Sequence, residues 1–166
     1  MPLFYQQNIN ANTQWAIWHI QESEDAFDIA IAVDSKIMHP NRRIQHKAGR
    51  LLLNHLVNQD AQEDIDIAPN GKPFFKTLKQ QFSISHCNDW AAVIVSDQKV
   101  GIDVEIISER VQKVKHKFLH DDEIKWLDHI PLPEQLAQLT FIWSAKEAMY
   151  KWSEQIGINF KDQLVI

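Results

Sequence analysis

Asp103 and Glu105 stand two positions apart in VGIDVEII, Val100 to Ile107, a run that is otherwise apolar or glycine. In an extended chain residues i and i+2 share a face, so the two carboxylates project together while Ile102, Val104 and Ile106 share the other side. Like charges side by side repel and are costly to bury unless a cation lies between them or water stays on them. The pattern leaves two chemistries open: a cation site, or the solvated acidic face of an edge strand. Further along, Trp143, Glu147 and Lys151 fall at i, i+4 and i+8 within WSAKEAMYK, which puts a ring, a carboxylate and an ammonium on one helical face. Glu followed four residues later by Lys is also the ordinary surface pair that steadies a helix by about 0.2–0.5 kcal/mol. SAKE can be read as a capping box at Ser144, but the apolar LTFIW before it says that the helix is already under way.

The elements that must position these groups are encoded around them. TQWAIWHI alternates and predicts an early strand, with Trp15 and Trp18 as packing residues. HPNRRIQHKAGRLLLNHLV predicts a helix with Pro40 near its first turn, where a missing N–H does no harm. Its apolar face reads Ile44, Ala48, Leu51, Leu52, His55 and Leu56. Arg43, Lys47 and Arg50 line up beside that stripe at i, i+4 and i+7, a row that is ordinarily a surface face. APNGKPFF is a turn that displays Lys72, and FSISHCNDWAAVIVS reads as two short strands tightly joined, with Ser85 and His86 on the first. VGIDVEII follows as a strand and DDEIKWLDHI as a short helix ended by PLPE. EQLAQLTFIWSAKEAMYKWSEQIG reads as a long helix stopping before Gly157, and INFKDQLVI as a last strand.

A chain of 166 residues with 45% hydrophobic and 23% charged residues can bury a core as one domain or two small lobes. The net charge of −5 argues against non-specific nucleic-acid binding, although a local basic patch could hold a phosphate. No apolar run reaches membrane-spanning length, and MPLFYQQNINANTQ lacks the regions of a signal peptide, so a cytoplasmic protein without a membrane partner is expected. Cys87, the single cysteine, can form no internal disulfide. His116 and His120 in HKFLH have the spacing of a zinc protease on a helix, but Lys117 stands where the glutamate should be. Cys87 beside His86 is no nucleophile dyad, because neighbours on a strand point to opposite faces.

The order along the chain of a basic helix, NGKP, SISH, GIDVE and WSAKEAMYK resembles the 4′-phosphopantetheinyl transferase family. GIDVE at Gly101 to Glu105 and WSAKEAMYK at Trp143 to Lys151 carry the resemblance, supported by GKP at Gly71 to Pro73 and SISH at Ser83 to His86. It implies an enzyme that moves the phosphopantetheine arm of coenzyme A onto a serine of an acyl- or peptidyl-carrier protein and leaves adenosine 3′,5′-bisphosphate. By the resemblance Asp103, Glu105 and Glu147 would coordinate Mg²⁺, and Lys151 would reach the same phosphates. Glu147, or a water it holds, would take the serine proton. Lys72, His86 and Ser85 look like the family's contacts to the phosphates, with Arg43 as a further 3′-phosphate contact and Lys47 and Arg50 behind it.

The resemblance further implies an α+β fold of two similar αβ halves about a pseudo-twofold axis, with residues 1–95 forming the half that contacts coenzyme A and 96–166 the half with the metal and catalytic motifs. Longer members continue through more strands after the WSAKEAMYK helix, so an incomplete second half is one expectation. Two other functions stay open: a non-catalytic coenzyme A-binding module of the same descent, and a different Mg²⁺-dependent phosphohydrolase using the same acids.

Overall fold

The computed structural model describes residues 3–27 and 39–166; Met1 and Pro2, which begin the stretch read as lacking a signal peptide, lie outside the described residues. Two strands open the chain as an antiparallel hairpin, β1 (Leu3–Asn10) and β2 (Thr13–His19). The sequence pattern predicts β2 but not β1, whose side chains are nearly all exposed and leave no apolar alternation to read. Helix α1 (Pro40–Val57) begins with Pro40 in its first turn, as expected. A small ribbon of β3 (Ile65–Ile67) and β4 (Pro73–Phe75) precedes β5 (Gln81–Cys87) and β6 (Trp90–Ser96). Asn88, at φ 50, makes the tight reversal between the last two, a left-handed conformation that Asn tolerates better than most residues.

The main sheet runs β1-β2-β6-β5 with every pairing antiparallel, which leaves β5 on an edge. One face carries Ala16, Trp18, Val93, Val95 and Phe82 against the buried Ala48, Leu52, Leu53 and Leu56 of α1. The helix sits close: a Cβ added at Gly49 would come within 2.9 Å of Ile84 Cγ2. By strand alternation Ile84 and His86 share this face, and Ser83, Ser85 and Cys87 share the other.

VGIDVEII lies along that second face but forms no strand. Its polar groups go to β5 side chains instead of a backbone ladder: Ile102 N–H donates to Ser83 Oγ at 3.2 Å, and Asp103 and Glu105 accept from Ser85 and Cys87. Periodicity reports which residues share a side, and it cannot report whether a partner strand is present. Four helices follow, α2 (Arg110–Val114), α3 (Asp121–Asp128), α4 (Leu132–Ser153) and α5 (Phe160–Gln163), with Val111, Phe118, Leu119, Leu127, Leu139 and Ile142 as a second apolar cluster. The strand expected at INFKDQLVI is overturned, because the Asn159 side chain accepts from Lys161 N–H and starts α5 there. The single helix expected through HKFLH is also broken: His116 lies in a 3-10 turn, and His120 caps α3 in a reciprocal box with Glu123. No helix among the described residues is long and apolar enough to cross a membrane.

Lys146, in the middle of WSAKEAMYK, is completely buried. Its ammonium meets Glu123 at 2.6 Å and also donates to the carbonyls of Phe118 and Phe160. A buried pair of this kind adds little net stability, since desolvation offsets attraction, but its directional contacts fix how α4 is rotated against α3 and α5. With Lys146 turned into this cluster, Glu147 and Lys151 are presented elsewhere on α4.

Candidate functional site

Lys151 is the point at which the helix, the acidic run and the edge strand meet. Its ammonium donates to Asp103 Oδ1 at 2.7 Å, to Ser85 Oγ at 2.9 Å and to the Ile102 carbonyl at 3.1 Å. Ser85 in turn donates to Asp103 Oδ1 at 2.7 Å. Lys151 therefore does not spend its charge in a solvent-facing pair with Glu147, and the cation that the apolar run needs beside Asp103 comes from α4. The Asp103 side chain is only 6% exposed, and its second oxygen, Oδ2, is buried without a hydrogen-bond partner. Such an atom is costly to leave alone and marks a place where a further positive group would be accepted.

The close approach rests on Gly101. A Cβ there would lie 2.0 Å from the Ala148 carbonyl oxygen and 2.9 Å from Trp152 N, so only glycine lets this backbone touch that of α4. Glu105 is exposed; it accepts from Trp143 Nε1 at 3.3 Å and from Cys87 Sγ at 3.1 Å. Burial, and then the bond to Glu105, pushes the Cys87 thiol upward, away from the thiolate a nucleophile needs. Glu147 is half-buried, and burial first, with the Asp103 and Glu105 charges, holds its carboxyl above the ordinary range while Lys151 pulls the other way.

Among the described residues no three His, Cys, Asp or Glu side chains gather closely enough to hold a metal by themselves. The orphaned Asp103 oxygen and the like-charge pressure on Glu147 nevertheless fit a hard divalent cation, which takes one or two carboxylates and completes its shell with water and substrate phosphate. A raised carboxyl is a cost that appears as pH climbs from its unfolded value through its folded one. Glu147→Gln should therefore raise the melting temperature above that of the parent at pH 8 and much less at pH 4, and added Mg²⁺ should stabilise the parent more than the variant. Thermal melts at the two pH values check both; a variant less stable than the parent at pH 8 would show that Glu147 is not under strain.

Next to this junction an open pocket of about 230 Å³ is bounded by the Asn70–Pro73 turn, the β5 edge at Phe82–Ile84, and Tyr150, Lys151, Glu154 and Gln155 from the end of α4. The predicted turn thus brings Lys72 to Lys151: Lys72 Nζ donates to the Lys151 carbonyl at 3.1 Å and to Glu154 Oε1 at 2.8 Å. α4 ends at Ser153, short of the expected stop before Gly157, with Glu154 at φ 61. His86 stands at the surface on the α1 side of β5. The protein around its ring, and then the Lys151 and Arg42 charges, hold the imidazole below the usual histidine range.

The basic row divides in a way that helical spacing alone does not disclose. Arg43 and Lys47 converge on Glu24, at 2.7 and 3.1 Å, and Lys47 and Arg50 are buried. The α1 guanidinium whose charge reaches His86 is that of Arg42. Arg42, Gly101, Lys146 and Glu154 are the residues the motif reading passes over. Gly101 and Lys146 lie inside its quoted motifs, whereas Glu154 carries no signal beyond ending a helix.

A family model described as the 4′-phosphopantetheinyl transferase superfamily matches residues 99–164. A protein of Aneurinibacillus migulanus named 4′-phosphopantetheinyl transferase gsp is 36% identical over 81 residues, 49% of this chain and 34% of the relative. Enterobactin synthase component D of Salmonella austin is 33% identical over 120 residues, 70% of this chain and 50% of the relative. A putative 4′-phosphopantetheinyl transferase of Haemophilus influenzae is 33% identical over 95 residues, 54% of this chain and 39% of the relative. The chain spans half or less of the length of these curated relatives, and the resemblance carried by its motifs is borne out.

Proposed function

We propose, for a chain related to the 4′-phosphopantetheinyl transferases, that it moves the 4′-phosphopantetheine arm of coenzyme A onto a serine hydroxyl of an acyl- or peptidyl-carrier protein in the cytoplasm. The observation that carries this reading is the Lys151–Asp103–Ser85 junction, built from residues of the WSAKEAMYK, GIDVE and SISH motifs, beside a pocket that Lys151 and Lys72 both line. Asp103, Glu105 and Glu147 would hold Mg²⁺, which when bound supplies charge neutralisation at the transferring phosphate. The serine oxygen forms a bond to phosphorus as the bond from phosphorus to the departing bisphosphate breaks. Glu147, or a water that it holds, takes the serine proton. Lys151 meets the charge that grows on adenosine 3′,5′-bisphosphate, and Lys72, Ser85, His86 and Arg43, with Lys47 behind it, serve the remaining phosphates.

The two apolar clusters, one within residues 16–95 and one formed from Val111 onward, support a division at 1–95 and 96–166; the pseudo-twofold relation rests on the family resemblance alone, because the described residues after Ser96 form helices and no strand. Incubation with coenzyme A, Mg²⁺ and an apo acyl-carrier protein, followed by weighing the carrier, tests the function. A phosphopantetheine mass increment is expected. Coenzyme A binding without transfer would make the chain a binding module, and coenzyme A hydrolysis without carrier would make it a phosphohydrolase.

A further inference from the structure

Lys72 is not an idle cation waiting at the pocket. Its ammonium is taken up by Glu154, whose carboxylate bridges Lys72 at 2.8 Å and Lys99 at 2.9 Å. Glu154 occupies this place in an unfavourable backbone conformation, a non-glycine residue at φ 61 ending α4, although Gly157 lies three positions on and also has a positive φ. Asn70 Nδ2 donates to the Glu154 carbonyl at 3.3 Å, so the turn that displays Lys72 also holds the backbone of its competitor. The two lysines hold the Glu154 carboxyl below its ordinary range, which keeps it an anion. Its side chain is 32% exposed, so it has open solvent to move into.

We propose that Glu154 is a resident anion at the Lys72 and Lys99 ammoniums, which a phosphate group of the ligand must displace, and that it thereby sets the affinity and charge preference of the pocket. The inference rests on the reading of this pocket as a phosphate site and adds to it a residue that opposes binding. Only a ligand with more charge than a carboxylate, such as a pyrophosphate or a phosphomonoester, recovers more from the two lysines than is lost when Glu154 leaves. Weak anions are excluded, and the lysines stay neutralised when the pocket holds nothing. A pair that is about one-third exposed on the acid side is weak enough to be broken in this way.

Calorimetric titration of the full chain, its Glu154→Gln variant and its Lys72→Met variant with coenzyme A, and separately with inorganic pyrophosphate, tests the proposal. Glutamine keeps the size and can still accept from the lysines, but it carries no charge. Glu154→Gln is expected to bind both probes about two- to fivefold more tightly, the equilibrium equivalent of losing one part-exposed ion pair. Lys72→Met should bind both about tenfold more weakly. If Lys72→Met weakens binding while Glu154→Gln leaves it unchanged or weakens it, Glu154 merely positions Lys72 and the proposal falls, with the phosphate site intact. If Lys72→Met leaves binding unchanged, the phosphate reading of the pocket falls and takes the proposal with it.

Discussion

Lys151→Met is expected to fold, to bind coenzyme A and to transfer about a hundredfold more slowly than the parent, the scale of removing one group that stabilises charge growing in a transition state. Binding should suffer less than turnover, because in the proposed reaction the charge that Lys151 would meet is largest only as the bond to phosphorus breaks. The structure adds a cost that a surface helix pair would not have. Methionine takes the counter-charge from Asp103, which is only 6% exposed, and the Ser85 hydroxyl alone remains to it. The loss of stability should be about 1–3 kcal/mol, less than for a fully buried pair because the lysine side chain is 26% exposed. Single-turnover transfer measured well below the melting temperature, beside a coenzyme A titration, separates the two effects. Transfer within a few-fold of the parent would remove Lys151 from the chemistry.

Gly101→Ala should damage the protein more than any exchange of a charged group on the surface. Its methyl would lie 2.0 Å from the Ala148 carbonyl oxygen, a distance no relaxation of a side chain can relieve, because both contacts are backbone. Either α4 or the acidic run must move. We expect an unfolding free energy lower by about 3 kcal/mol, at the upper end of overpacking effects. The shift separates Asp103 from Lys151, so coenzyme A binding and transfer should fall together, unlike Lys151→Met, in which they diverge. Urea unfolding and the same titration check this; a variant with parental stability would mean that the helix and the run do not touch as described.

Much of the candidate site is legible in the chain itself. Asp103 and Glu105 on one side of an extended run, and Glu147 and Lys151 one turn apart on a helix, follow from backbone geometry over a few residues. The helix at Pro40–Val57 and the strands on either side of Asn88 follow from caps, turns and periodicity for the same reason. Local geometry cannot see partners distant in sequence. VGIDVEII has a strand's pattern, but whether it pairs depends on where the fold lays it, and here it meets the serine and cysteine side chains of β5 rather than that strand's free backbone edge.

The identity of each charge's partner was likewise settled by the tertiary structure. Sequence spacing assigns Lys151 to Glu147, four residues away, yet Asp103 sits 2.7 Å from its ammonium across 48 residues of chain. Lys47 lies on a row that reads as solvated and is instead buried against Glu24. A buried charge must find an opposite one wherever the fold brings it. The sequence by itself determined which groups are available and which of them share a local face; only the packing of α4 against Gly101 and β5 decided which charges neutralise one another and which oxygen of Asp103 is left without a partner, because those outcomes depend on distances between segments that are remote along the chain.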